Sequence, residues 1–443
     1  MMNFRKFYYS ASGSVDEIVD NIFTEYKEHI KIRNRKLESD YRTVLKIIVC
    51  NLIFAVKSNT EYISISLNKN NYLRHIRKYE PTNITYTVFK NLILWLANNS
   101  YIDLYKARSN PSGGISTVIK PLDTLIETVN DYEIKYYDVA IHPEYAYITV
   151  KDSNKSLIDY VDNEETLHRT SILKSYNKLL NEQEIIIANK LISYPIAVES
   201  KYNYAVGKNG RIYGGEWMNC KSELRSAIKI NGKATKEIDI SNCSLRLAGH
   251  LNNKLIPDNI DLYSMDGIDR DTVKQIGTVM LNTDIPKTHK QGIENVTKTV
   301  FNKKVKEVKK EIAINGNLTI KDTESKISKH ISIINNNQNN IDVLSSYGFK
   351  WTRSELKEYV KKVYEYFKLF ADGWLMSGRG LELQHKDSVI CFKVIEKFLA
   401  MNKVVLTVHD SFITVEEDIE LLKDVIVASY KEVVGDRHTP LLK

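Results

Sequence analysis

The sequence predicts an α+β chain with a mainly helical front, and three observations support this. Two long apolar runs suited to buried helices come early, at Tyr41–Ser58 and Thr87–Asn98. Short β-rich runs beside an acid lie in the second half, one ending at Asp239 (Lys236–Asp239) and two flanking Asp410 within Lys403–Val415. The 443 residues also exceed one ordinary core and, at roughly 150 residues per domain, suggest about three units.

A composition of 43% hydrophobic and 27% charged residues excludes wholesale disorder. No apolar run approaches the roughly 18 residues of a membrane span, and Met1–Ser14 has no apolar stretch of the secretory kind, so a cytoplasmic protein without a membrane partner is expected. The 63 basic and 55 acidic side chains leave +8, an excess compatible with a polyanionic partner but equally with ordinary solubility. Cys50, Cys220, Cys243 and Cys391 are scattered, with no CxxC pair to suggest zinc or a disulfide framework.

Taken in order, the second apolar helix is followed by Tyr101–Ala107, a turn-forming stretch at Ser109–Gly114 and a β-rich run at Ile115–Ile119. A helix followed by a two-stranded ribbon with a glycine-rich tip reads as a winged-helix-like module, with Arg74, His75, Arg77, Lys78, Lys106 and Arg108 as candidate phosphate contacts. The alternative is an α/β packing domain with a solvated basic face. Tyrosine-rich extended sequence and a helix near Leu173–Leu191 then connect to the second half. Asn335–Asn340, an amide tract downstream of a lysine-rich stretch at Lys303–Lys310, reads as an exposed loop or the tip of an insertion.

The chemistry centres on two aspartates. Asp239 closes a short strand just before a helix that Ser241 or Asn242 can cap, and Asp410 sits in a His-Asp-Ser turn between two β-rich runs. Two strand-borne carboxylates suit a pair of Mg²⁺ ions about 3.5–4 Å apart, one activating the attacking oxygen and the other steadying the leaving phosphate. Taken singly, each acid also fits a cap or a surface ion pair. Between them, Arg270, Lys274, Thr278 and Asn282 recur every fourth residue along one helix face, which can grip a triphosphate and reach a sugar or base, or form a solvated basic stripe.

In this order the three segments resemble motifs A, B and C of the family A nucleic-acid polymerases and the phage-type single-subunit RNA polymerases. Asp239-Ile240-Ser241-Asn242-Cys243-Ser244-Leu245-Arg246 keeps the Asp, Ser, Leu and Arg of D-Y-S-x-x-E-L-R; Arg270 and Lys274 fit R-x-x-x-K; and His409-Asp410-Ser411-Phe412 matches H-D-S-F letter for letter. Gly210-Arg211-Ile212-Tyr213 resembles the end of a D-x-x-G-R motif that touches the template–product hybrid, with Gly207 in place of its acid. The helix expected at Glu417–Val434 resembles the way the RNA-polymerase chains end.

The resemblance covers about residues 200–443, with an unmatched insertion near 283–345. It implies a right-hand polymerase: an antiparallel palm sheet with helical fingers, binding two Mg²⁺ (with Mn²⁺ able to substitute), nucleoside triphosphates, a DNA template and a nucleic-acid primer or product. Asp239 and Asp410, with the Ile240 carbonyl, would be the metal ligands. Arg270 and Lys274 would hold the triphosphate, and Ser244 and Asn282 would face the sugar. Arg211, Arg246, Gln384, His409 and Ser411 would meet primer or template, although Gln384 also reads as a helix-surface amide. Ser244 and Asn282 replace the Glu and Tyr that select the sugar in these families, which slightly favours ribonucleotides, whereas Arg246 follows the DNA enzymes. The implied division is a front module at 1–130, a connecting or thumb-like region at 131–199, palm at 200–264 and 351–443, and fingers at 265–350, in a monomer without room for a proofreading domain. Other readings are a metal-dependent nuclease and a non-catalytic DNA-binding replication protein.

Overall fold

The computed structural model describes residues 2–29, 35–72, 76–80, 82–106, 117–192, 194–314 and 320–443. It is a mixed α+β protein whose apolar side chains gather in two cores, one running from Tyr8 to Val139 and the other from Tyr147 to Tyr430.

The front core is built on the helices Gly13–His29, Arg35–Lys57 and Tyr86–Asn98. Val44, Leu45, Ile48 and Leu52 recur at helical spacing on the second of these and are buried, each side chain contributing about 1.5–3 kcal/mol. Thr85 caps the third helix, accepting from the Val88 amide at 3.4 Å. The ribbon expected after this helix is Ile102–Tyr105 paired antiparallel with Val118–Pro121, and it belongs to a four-stranded sheet completed by Ile63–Ser64 and Met2–Asn3. Arg74, His75, Arg108, the Ser109–Gly114 turn and Ile115 lie outside the described residues.

Residues 147–198 are part of the second core and not a mere connector. The helix there runs from Glu164 to Asn181, and the sequence beyond it forms the strands Ile185–Ile187 and Lys190–Leu191, where a helix reaching Leu191 was expected. Ile185-Ile186-Ile187 is β-branched and pairs antiparallel with Ile228–Ile230, so sheet pairing overrides a continuation of the helix.

These strands form one side of a seven-stranded sheet, in the order Leu406–Val408, Ser411–Val415, Lys233–Ser241, Ile228–Ile230, Ile185–Ile187, Lys190–Leu191, with Leu441–Leu442 also pairing with Lys233–Ser241. Its pairings are antiparallel. The helix Ile419–Val434 packs on the strands Ser411–Val415 and Lys233–Ser241, Cys243–Leu251 and Gly380–Ala400 pack on that helix and on each other, and Arg353–Ala371 packs on Cys243–Leu251. The helix after the His-Asp-Ser turn starts at Ile419, preceded by a 3₁₀ turn at Glu416–Asp418.

The insertion is helical, at His289–Ile314 and Ile320–Asn336. The amide tract does not project as a free tip. The backbone carbonyl of Gln338 accepts from the Arg353 N–H (2.8 Å), the Asn339 side chain accepts from the Ser354 N–H (3.0 Å), and the Asn340 side chain caps the short Ile341–Ser345 helix. These oxygens satisfy backbone donors at helix starts, which water would otherwise have to serve. No helix among the described residues is long and apolar enough to cross a membrane.

Candidate active site

Asp239 lies near the end of the longest strand of the seven-stranded sheet and sits directly opposite Ser411 in the antiparallel register. Period-two alternation buries Ile238 and Ile240 while leaving Asp239 half-buried between them. The hairpin Leu406–Val408/Ser411–Val415 has Val408 paired with Ser411, so His409 and Asp410 form its two-residue turn. Two bonds fasten the turn to the strand: the Ser411 hydroxyl donates to Asp239 Oδ1 at 2.8 Å, and the Ile240 amide donates to the Asp410 carbonyl at 3.0 Å. Sheet register therefore brings together two acids that are far apart in sequence.

The backbone beside each acid is unusual. His409 (φ 59°) and Asn242 (φ 56°) are left-handed, a conformation costing of order 1–3 kcal/mol for non-glycine residues and persisting where surrounding structure enforces it. Asn242 is the N-cap of the Cys243–Leu251 helix but makes no side-chain cap bond. Its amide instead donates to Asp261 Oδ1 (3.0 Å) and accepts from the Leu262 amide (3.0 Å).

A third carboxylate, missed in the sequence, lies behind the pair. Asp387 on the Gly380–Ala400 helix is buried at 2% exposure and pairs with Arg211 Nε at 2.7 Å. Burial first, then the charges of Asp387 and Asp410, push the Cys243 thiol well above its ordinary value. Burial, followed by repulsion from Asp387 and Asp239, raises Asp410 to about 7, with Arg211 opposing the shift. Burial works against the charge of Arg211, but Asp387 and Asp410 outweigh it and hold the guanidinium above its usual value. Asp387 was legible in one respect: with Leu383, Cys391 and Val394 it falls on the apolar face of a helix, where an acid needs a partner.

The other expected site residues divide into three groups. Arg270 and Lys274 are exposed on the helix Arg270–Asn282, which Asp269 caps. Arg270 Nε donates to Asp261 at 2.7 Å, and Lys274 has no ion-pair partner among the described residues. At the far end of this helix, Gln384 Nε2 donates to Asn282 Oδ1 at 3.2 Å, so these two candidates meet. Gly380 permits the contact, because a Cβ there would lie 2.5 Å from Asn282 Oδ1 and 2.6 Å from the Leu281 carbonyl. Ser244, half-exposed, is in the first turn of the helix after Asp239.

Arg246 requires a correction. It is fully buried and donates to the carbonyls of Pro257 (2.9 Å), Ile260 (2.6 Å) and Ile256 (3.3 Å). It thus holds the 256–260 loop through its two Nη nitrogens and, being fully buried, offers nothing to a nucleic acid. Ser411 is similarly committed: it is buried and its hydroxyl is on Asp239, so it orients the acid and does not face a primer. Arg211 is half-buried and neutralises Asp387. The glycine before it is needed twice over, since Gly210 has φ +77° and a Cβ there would meet Arg169 Nη1 at 2.7 Å. His409 stacks edge-on against Tyr213 at 5.4 Å, and burial followed by the Arg211 charge depresses its pKa. In the front module Lys78 is committed too, to Asp162 at 2.8 Å and the Tyr160 carbonyl at 2.7 Å, while Arg77 and Lys106 are exposed.

Two carboxylates on neighbouring backbone segments are the donor set that hard divalent cations use. Ser411 occupies one oxygen of Asp239, and no side chain among the described residues donates to Asp410. No group of three or more His, Cys, Asp or Glu suited to hold a metal occurs among the described residues. Mg²⁺ is commonly held by one or two carboxylates plus substrate phosphates and water, so the two acids fit a cation that arrives with a phosphorylated substrate.

No protein-family model matches the chain, and no curated protein matches it. Among solved structures it is similar to the POL domain of Pol1 from M. smegmatis, in complex with DNA primer-template and dNTP, at 11% identity and a TM-score of 0.23. The likeness covers 99% of this chain and 66% of that one, and a score this low bears on neither fold nor activity.

Proposed function

We propose that the chain is a template-directed nucleotidyltransferase that extends a 3′-hydroxyl with nucleoside triphosphates. The observation that carries this reading is the register that sets Asp239 against Ser411 and ties Ile240 to Asp410, with a helix bearing Arg270 and Lys274 joined to the same strand end through Asp261 and Asn242. On this reading the seven-stranded sheet is the palm, the helices from Arg270 to Ser345 are fingers, and residues 2–139 form a template-side module.

The roles follow from charge and position. Asp239 and Asp410, with the Ile240 carbonyl as an added oxygen, would hold Mg²⁺ or Mn²⁺. When bound, these ions supply charge neutralisation at the attacking and leaving oxygens of phosphoryl transfer. Ser411 fixes the rotamer of Asp239 by its hydrogen bond, leaving the other carboxylate oxygen for the ligand. Arg270 and Lys274, one turn apart, grip the triphosphate, and Lys274 is available for this because it has no ion-pair partner among the described residues. His409 lies beside the primer terminus. Ser244, small and half-exposed, leaves room for a ribose 2′-hydroxyl, and Asn282 with Gln384 presents amides to sugar or base, so ribonucleotide use is slightly favoured over DNA synthesis.

The test is extension of primed and unprimed DNA templates with Mg²⁺ and either ribo- or deoxynucleotides. Extension that is lost in Asp239→Asn and Asp410→Asn supports the reading. Shortening of the template without added nucleotides, or salt-sensitive DNA binding without chemistry, contradicts it. Ser244→Glu should selectively penalise ribonucleotides, and unchanged use of both sugars would refute the steric argument.

A further inference from the structure

Asp261 lies in the loop between the helices Cys243–Leu251 and Arg270–Asn282 and is not part of any motif read in the sequence. Its two oxygens are divided by task. Oδ1 faces the frame, accepting from the Asn242 side chain and the Tyr263 amide, both at 3.0 Å. Oδ2 faces cations, accepting from Arg270 Nε at 2.7 Å and lying 3.4 Å from Lys443 Nζ. The backbone of Lys443 in turn exchanges two hydrogen bonds with Asp239, at 2.8 and 3.0 Å. One carboxylate thus joins the strand end carrying Asp239, the start of the cationic helix and the segment paired beside Asp239. Burial opposes its ionisation, but the bonds from Arg270, the Tyr263 amide and Asn242 outweigh this and hold the carboxyl well below its ordinary range.

The geometry of Arg270 gives the arrangement a purpose. A guanidinium has five donors in a rigid fork. Asp261 engages only the Nε side, and the terminal Nη nitrogens have no partner among the described residues. A carboxylate held side-on removes rotamer freedom from a long side chain while leaving the two-nitrogen end for a phosphate. The ring of Tyr263, 5.7 Å from the guanidinium, backs it from a second direction.

We propose that Asp261 is a positioning residue that sets the Arg270 fork for the polyphosphate of the incoming nucleotide. The proposal rests on the nucleotidyltransferase reading above. Asp261→Asn is the informative variant, because an asparagine can keep its oxygen on Asn242 and the Tyr263 amide while turning an NH₂ toward Arg270. The measurement is steady-state extension on a primed template by wild type, Asp261→Asn, Arg270→Gln and the double variant. The expected result is a KM for nucleotide raised about tenfold in Asp261→Asn with kcat changed by less than about threefold. The double variant should then be no more than about twofold worse than Arg270→Gln, because both changes remove one interaction. Arg270→Lys gives a second reading that leaves Asp261 intact: an ammonium cannot serve the side-on bond and the phosphate fork together, so KM should rise as in Arg270→Gln. Additive losses in the double variant, a fall in kcat alone, or a wild-type KM in Arg270→Lys would each overturn the proposal while leaving the polymerase reading intact. A wild-type protein that extends no primer would overturn both.

Discussion

The two cores of this protein handle charge in opposite ways. Between Tyr8 and Val139 the buried polar residues among those described are Ser10 and Asn51, and Asn51 is accounted for by a reciprocal clamp on the backbone of Arg5, at 2.7 and 2.9 Å. Charged side chains there pair near the surface, as in Lys46–Asp16 (2.6 Å) and Lys120–Glu61 (2.9 Å). The second core instead buries Arg169, Arg246 and Asp387, with His250 besides. Burying charge is expensive, and breaking a buried pair leaves an uncompensated ion. Among the described residues the first core avoids that cost, whereas in the second the buried Asp387, paired with Arg211, acts on the Asp239–Asp410 pair. On the proposed reading, the acids that hold the metal ions therefore belong to the second core.

The contrast is tested first at the acids. Asp410→Asn or Asp239→Asn should lower extension by about a thousandfold or more, equivalent to roughly 4 kcal/mol at tenfold per 1.36 kcal/mol, while circular dichroism stays that of wild type. Residual activity within tenfold of wild type would remove these residues from the reaction.

Next in size is the buried pair. Arg211→Ala should destabilise the protein by about 3–5 kcal/mol, because it strands Asp387; replacing both partners with apolar residues should recover much of that loss in a denaturant titration.

The pH response of the metal-free protein sharpens the same point. Asp410 is raised to about 7 in the folded state, against about 3.9 when unfolded. Its stabilising contribution is therefore fully present below about pH 4 and lost as pH rises through about 7. In EDTA, the Tm of wild type should fall relative to that of Asp410→Asn between pH 5 and 8, and parallel curves would contradict the assignment.

The smallest effect belongs to the front. Lys78→Ala removes a partly exposed ion pair and a cation–π contact and should cost about 1 kcal/mol, with DNA affinity unchanged because Lys78 is already committed to Asp162 and Tyr160. A large loss of affinity would show that Lys78 leaves these partners to reach the DNA.

What the sequence made legible was local. The strand ending near Asp239 and the hairpin presenting Asp410 follow from β-branched runs bounded by polar turns. The sites that escaped notice depend on contacts between distant segments. Asp261 reads as one acid in a loop until Arg270, Asn242 and Lys443 converge on it. Arg246 matches a motif position, yet its helix faces the core and the 256–260 carbonyls claim its donors. The strand Ile185–Ile187 was hidden because a helix of good pattern ends just before it, and only the partner Ile228–Ile230 decides the matter.

The most direct measurement is a crystal structure with Mn²⁺, a primed template and a non-hydrolysable nucleoside triphosphate, with the metal located by anomalous scattering. The account predicts manganese bridging the carboxylates of Asp239 and Asp410 and the nucleotide phosphates, with Lys274 on the triphosphate. Manganese bound elsewhere, or a nucleotide seated away from these two acids, would contradict it.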